Sequence, residues 1–478
     1  MKRTLLAAEL AFIAAFALTG IACVTQSPPN SNSVATTTPS PVSSASPTTG
    51  VVTEASTIPV TLPVLDALFT DEAFKAELKS KLQLSDEQIS GLRNSASAEV
   101  AKLRQTNAEQ QPGSAAEARA LATESIRNVI GAQKTDELLA LVREHWIKGG
   151  EELEPGKAKV EITMLPGPNA VPPDTRIVVN IPAFRMDLFQ NGSLIKSYKI
   201  GIGYPQFPLP TGLRKAQTII FNPTWTPPDS PWVATMKNVT AGEKIEAGSP
   251  LNPLGPIKIP IGMPSLIHGG KSPSKIGTFA SHGCVGLTNA QVKDFARTLA
   301  HAAGKDVSDK TIAAYLRDPT KTRVVKLDEP VPVELRYETI VVEDGKLHIY
   351  RDVYDQNTNT EENLRAALEK HGIKWEDLSE GERTEVLEAL NAMSAHPKKQ
   401  VSIKPVEAKP SPEPPANTSG NANDQKAKTA RKKPVGKNQK ELVVEIATLS
   451  GKGYPAPVAL DTGTGKPAPK AVETTASR

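Results

Sequence analysis

The sequence predicts a multidomain chain. A mostly-β domain with a few capping helices occupies the middle, a small α-helical module precedes it, and disordered segments lie on either side. Three observations carry this. Residues from about 158 to 357 fall into short β-branched and aromatic runs punctuated by Gly, Pro and Asn. Across 59–150 apolar residues recur at helical spacing, as in Phe74, Leu78 and Leu82, and again in Ile126, Val129 and Ile130. Residues 24–58 are Ser, Thr and Pro with almost no charge, and 397–478 are mostly Lys, Pro, Ala and Asn. Neither stretch can bury enough apolar surface to offset its chain entropy, so both are expected to be disordered. A length of 478 residues exceeds one ordinary domain, and 41 prolines with 4% aromatics fit a large unfolded share.

Residues 1–23 read as a signal peptide, with Lys2 and Arg3 ahead of an apolar run from Leu10 to Ala22. The run is short for a membrane span, which takes about 20 apolar residues. Gly20-Ile21-Ala22-Cys23 resembles the lipobox at which bacterial lipoproteins are cleaved and acylated, which implies lipid attachment at Cys23. Ordinary cleavage nearby is the alternative. On either reading the mature chain works in the periplasm or cell envelope.

In the module at 59–150, Ser85 with Gln88 and Ser114 with Glu117 have capping-box spacing, and Pro112-Gly113 separates two helical stretches. A packing or spacer module is the plain account. The β-rich domain spans 158–357. It opens with Arg176 to Ile181 and continues through Phe184 to Phe189. Asn191-Gly192 is a hairpin turn signal leading into a strand from Ser193. Ile219 to Phe221 and Pro256 to Ile261 add strands. A helix is expected from Ala290 to about Ala303, capped by Thr288 or Asn289, and another through Asp309 to Leu316. Val331 to Val342, the Asp344-Gly345 turn and Lys346 to Tyr350 read as a hairpin. Residues 358–396 form a helical extension of two short helices broken near Gly372. Glu441 to Leu449 is a β-like patch with no evident partner.

A formal net charge of +4 is mild for this length, and no basic stripe with interleaved aromatics points to nucleic acid. The basic cluster Lys426 to Lys440 reads as a solubilising tail. His145, His301, His348, His371 and His396 have no metal-ligand spacing, so no metal and no organic cofactor is expected.

The chemistry concentrates at His268-Gly269-Gly270 and Ser281-His282-Gly283-Cys284. The only cysteines are Cys23 and Cys284, so Cys284 is the one thiol expected in a folded domain, and no internal disulfide is expected. A thiol beside two imidazoles in a glycine-rich setting has what a cysteine nucleophile requires, namely a base and a backbone open to substrate. A buried thiol near unrelated histidines would share the composition. Spacing does not decide which imidazole is the base.

These two motifs and the gap between them resemble the signature of the L,D-transpeptidase (YkuD-domain) family. Ile177 to Phe189, Asn222 to Trp225, Val331 to Tyr337 and Asp352 to Tyr354 resemble the larger, YcbB-type branch. The resemblance covers roughly 170–357. It implies that Cys284 attacks a peptidoglycan tetrapeptide stem with release of D-Ala and that His268 is the base, its ring oriented by the Gly269 carbonyl. His282 would sit beside the thiolate, the Gly283 and Cys284 N–H groups would form an oxyanion hole, and Ser281 would support the site. An amine acceptor would then give a 3→3 cross-link. Water would give an L,D-carboxypeptidase instead, and a protein acceptor is a further alternative. In many members the residue two after the cysteine is Arg, or Asn in another branch; here it is Gly286. This departure leaves a weakly active or non-catalytic peptidoglycan-binding protein as the rival. Lys271 or Arg297 are the nearby cations that would compensate. Trp225, Lys271 and Arg297 are the candidate substrate contacts, with a sheet plug the alternative for Trp225 and a solvated loop charge for Lys271. The oligomeric state is left open.

Overall fold

The computed structural model describes residues 60–105, 114–148, 163–227, 233, 236–262, 264–394 and 439–464. The signal peptide with Cys23, the 24–58 linker and most of the 397–478 tail lie outside these.

Five helices form the N-terminal module: α1 (Leu62–Leu68), α2 (Glu72–Ser80), α3 (Asp86–Gln105), α4 (Ala115–Ile130) and α5 (Ala132–Lys148). Their apolar stripes meet in one core of Leu65, Phe74, Leu78, Leu92, Ala96, Ile126, Leu138 and Val142. Thr61, Asp71 and Ser114 cap α1, α2 and α4 with side-chain oxygens that accept first-turn N–H groups. Ser85 and Gln88 bond reciprocally at the start of α3. Ser114 turns its own hydroxyl proton to Asp355, 241 residues further along the chain, so this cap is also a tertiary contact.

The β domain is an eight-stranded mixed sheet. Its strands are β1 (Arg176–Asn180), β2 (Arg185–Gln190), β3 (Ser193–Lys199), β5 (Gly212–Phe221), β6 (Ile257–Pro260), β7 (Leu266–Lys271), β9 (Val285–Thr288) and β10 (Arg323–Arg336), in the order β3-β2-β1-β10-β5-β6-β7-β9. Short strands β4 (Ile202–Gly203) and β8 (Phe279–Ser281) pair in parallel beside it. Only β1 with β10 and β7 with β9 run parallel within the large sheet. The β2–β3 turn has Asn191 and Gly192 both at positive φ, 49° and 82°, as a two-residue hairpin with the sheet's twist requires.

Helix α6 (Asn289–Ala302) lies on this sheet. Its Val292, Phe295, Ala296 and Leu299 recur at helical spacing and are fully buried. Thr288 and Gln291 close a capping box at its start, with bonds of 3.0 and 3.1 Å. Helix α7 (Asp309–Leu316) follows.

The hairpin about Asp344-Gly345 is present, Ile340–Glu343 pairing antiparallel with Lys346–Tyr350, but its first strand does not run from Val331 to Val342. Residues up to Arg336 belong to the large sheet, paired with β1 across more than 150 positions, while Ile340–Glu343 is β11 of a second sheet. Both runs are β-rich, and no local signal marks the crossing between them. The second sheet orders β11-β12-β13, with β12 at Lys346–Tyr350 and β13 at Glu441–Val444. The patch at Glu441 therefore has a partner, and residues 439–464 are an ordered part of the tail. Helices α8 (Glu361–Glu369) and α9 (Glu380–Met393) cover this sheet through Leu364, Leu368, Val386, Leu390 and Met393. Residues 340–350 thus share a core with 361–393 through Ile340, Val342, Leu347 and Ile349, while Val341 and Tyr350 pack against Val178 and Phe189 of the large sheet. The two sheets are joined by Arg185, which pairs with Asp187 at 2.8 Å and with Glu343 at 2.6 Å.

Candidate active site

Register brings the two motifs together. In the parallel β7–β9 pair Ile267 faces Val285 and His268 faces Gly286. Side chains alternate along a strand. Ile267 and Val285 point into the core and are fully buried. His268, Gly286 and Cys284, which leads into β9, share the opposite face.

His268 is 4% exposed. Its Nδ1 lies 2.7 Å from the Gly269 carbonyl. A carbonyl only accepts, so Nδ1 carries the proton and Nε2 keeps its lone pair. Burial, with the positive charge of Lys271 nearby, pushes His268 down to about 3 from the usual 6.5. Burial pushes the Cys284 thiol up, opposed by the Leu266 backbone N–H and by Lys271. At neutral pH the pair therefore rests as neutral thiol and neutral imidazole. A neutral thiol beside a neutral imidazole is an arrangement suited to general-base chemistry.

Ser281, buried in β8, folds the turn that carries the thiol. Its hydroxyl donates to the Cys284 carbonyl at 2.5 Å and accepts from the Cys284 N–H at 3.1 Å. Ser265, 1% exposed, donates to the Gly283 carbonyl at 2.7 Å. Gly283 has φ of 87°, a conformation a side chain would strain. These bonds engage the Cys284 N–H inside the turn, which leaves the Gly283 N–H as the better oxyanion donor of the two. His282 is exposed at the rim, edge-on to Phe207 with ring centres 4.4 Å apart and 5.8 Å from Tyr204. Asn289 accepts from the Gly270 N–H at 2.8 Å and pins the loop after His268.

Lys271 reaches the site. A Cβ added to Gly286 would stand 2.9 Å from Lys271 Cγ and 3.0 Å from its Cε. The lysine stem therefore lies where a side chain at 286 would begin. Burial holds the Lys271 ammonium below its usual value, against the pull of the Cys284 thiolate. Arg297 is not brought to the thiol. Its guanidinium pairs with Asp294 and Asp309 on the outer side of α6. Trp225 pairs with Ile245 and packs, half-buried, in a satellite cluster with Val233 and Val239, apart from the core of the large sheet.

Ser265, Asn289, Tyr204 and Phe207 were missed as site residues from sequence. Asn289 had a signal as a helix cap. The other three had none, because each acts through a contact distant in the chain or through a backbone carbonyl.

No curated protein sequence matches this chain. It is similar to solved structures of an L,D-transpeptidase from Mycobacterium tuberculosis H37Rv (13% identity, 34% of this chain and 58% of that chain, TM-score 0.21) and of one from Mycobacterium smegmatis (14%, 34% and 58%, TM-score 0.22). It is also similar to the catalytic domain of the E. faecium L,D-transpeptidase (17%, 35% and 100%, TM-score 0.23). The chain spans a little over half the length of the two mycobacterial proteins. Residues 174–325 match the family described as the L,D-transpeptidase catalytic domain, YkuD. They include both motifs, β7, β9 and α6, and the chain thus carries an L,D-transpeptidase-type catalytic domain at 174–325.

Proposed function

We propose that this protein is an exported L,D-transpeptidase of cell-wall biogenesis. Cys284 attacks the carbonyl after the third residue of a peptidoglycan tetrapeptide stem while His268 Nε2 takes the thiol proton. The Gly283 N–H stabilises the oxyanion, aided by His282 at the rim. His268 returns the proton to the departing D-Ala amine, leaving a thioester. A side-chain amine of a second stem then attacks, His268 takes its proton, and a 3→3 cross-link forms as the thiol is released. The observation that carries this reading is the shared face of Cys284 and His268 across β7 and β9, with Nδ1 tied to the Gly269 carbonyl. Assignment to the YcbB-type branch rests on the sequence resemblance alone.

Intact-mass spectrometry after incubation with a disaccharide-tetrapeptide, and separately with a carbapenem, tests the proposal. The wild-type protein is expected to gain one acyl group and to release cross-linked dimer from the tetrapeptide. Cys284→Ala is expected to gain none while keeping its fold by circular dichroism. An adduct on that variant would remove Cys284 from the mechanism, and stem cleavage without dimer would make the protein a carboxypeptidase.

Export and anchoring rest on residues 1–23. Cys23→Ser is expected to move the protein from the membrane fraction to the soluble envelope fraction. Unchanged fractionation would sink the lipid anchor.

A further inference from the structure

We infer that the N-terminal helical module is a clamp on the active-site loop 203–209, positioning His282 and Gly283 against the thiol, rather than a spacer. The inference rests on the reading of Cys284 as an acylated nucleophile.

The loop is held from the module side and from behind. Val100, fully buried near the end of α3, leaves the module's own core and joins Tyr204 and Phe207 in a separate apolar cluster, with Leu103 against it. The hydroxyl of Thr61, the α1 cap, donates to the Gln206 carbonyl at 2.7 Å. From behind, Tyr354 donates its hydroxyl to the Gly203 carbonyl at 2.8 Å and accepts from the Leu209 N–H at 3.1 Å. The backbone of Tyr354 and Asp355 is in turn gripped by Arg119 of α4, at 3.1 and 2.8 Å, and Asp355 by Ser114. Ala115 of α4 is buried in the core of the large sheet itself.

What the clamp holds is next to the chemistry. Phe207 meets the His282 ring edge-on and Tyr204 flanks it. The Tyr204 N–H donates to the Ser281 carbonyl at 2.9 Å, one residue before His282. A module that only spaced the domain from its surroundings would need no buried residue in this loop. Thr61, Val100 and Tyr354 are positioning residues, since none is in contact with the thiol.

The test uses two reagents on the full chain. Acylation by a carbapenem develops an oxyanion and needs the positioned turn. Alkylation by iodoacetamide needs only the thiolate. The double variant Thr61→Val, Val100→Ala is expected to slow carbapenem acylation about tenfold, through the rate constant rather than the half-saturating concentration, and to leave alkylation within about twofold. Equal acylation rates in a folded double variant would overturn the clamp. Should Val100→Ala unfold the module, Thr61→Val alone, which keeps the side-chain volume, carries the same test with the same two outcomes. A wild-type protein alkylated but never acylated would instead overturn the transpeptidase reading, and the clamp's catalytic role with it.

Discussion

Replacing His268 with Gln is expected to slow acylation of Cys284 by about 10²–10⁴-fold and to change the shape of its pH profile. In the wild-type protein the imidazole is already neutral, because burial holds it down to about 3, and the thiol is protonated because burial raises it. Base and proton are thus both in place across the neutral range, and the rate should vary little from about pH 5 to 8. Without the base, reaction must start from preformed thiolate. The variant's rate should then climb about tenfold per pH unit up to the raised thiol value. Stopped-flow acylation at closely spaced pH values separates the two, and a flat profile in the variant would give the base to another group. Stability moves too. Between the unfolded value of 6.5 and the folded value of about 3, the unfolded chain binds a proton that the folded chain refuses. The wild-type protein therefore loses stability as pH falls through that window, by up to about 1.4 kcal/mol per pH unit, and His268→Gln loses that dependence.

Lys271→Met is the second large effect. Methionine keeps an unbranched apolar stem over Gly286 and deletes the charge. The cation lowers the thiol's value, as a neighbouring unlike charge does. Iodoacetamide alkylation against pH should show the Cys284 transition moving to higher pH in Lys271→Met. Gly286→Ala attacks the same interaction from the other strand. Its new methyl would stand 2.9 Å from Lys271 Cγ, tighter than packing allows, so the lysine must shift. The double variant Lys271→Met, Gly286→Ala should fall well short of the sum of the two single effects, since the second change disturbs a charge already gone. Additive effects would mean that Lys271 and Gly286 act separately. This arrangement puts the stem of Lys271 over position 286, delivered from β7 rather than from β9.

The parts of the fold legible in sequence were those with local causes. Helix α6 declared itself by the stripe from Val292 to Leu299 and by Thr288, and the β2–β3 hairpin by Asn191-Gly192. Cys284 and His268 stood out because their glycine-rich surroundings are unusual. What escaped reading was non-local. Nothing in Val331 to Val342 says that the chain changes sheets after Arg336, and nothing in Glu441 to Val444 names β12 as its partner. The module read as a spacer because Val100 and Thr61 look like ordinary core and cap residues until the loop they touch is known. Prolines at 330 and 332 argue locally against a strand. They are tolerated in β10 beside the register shift between Lys326 and Val331.

The ordered return of the tail sets the order in which this protein can mature. After β13 the chain runs along the exposed edge of β3, where Ser197 and Lys199 exchange backbone bonds with Val458 and Asp461. Gln291 of the α6 cap donates to the Asp461 carbonyl at 2.9 Å, and Lys440 reaches the Gly277 carbonyl in the loop between the two His motifs. Cys284 and His268 leave the ribosome well before these residues do. A nascent chain therefore has Cys284 and His268 while the β3 edge of the sheet is still open to pairing with other chains. Arrival of Val458 and Asp461 closes that edge, so the candidate site and its covered sheet are completed together.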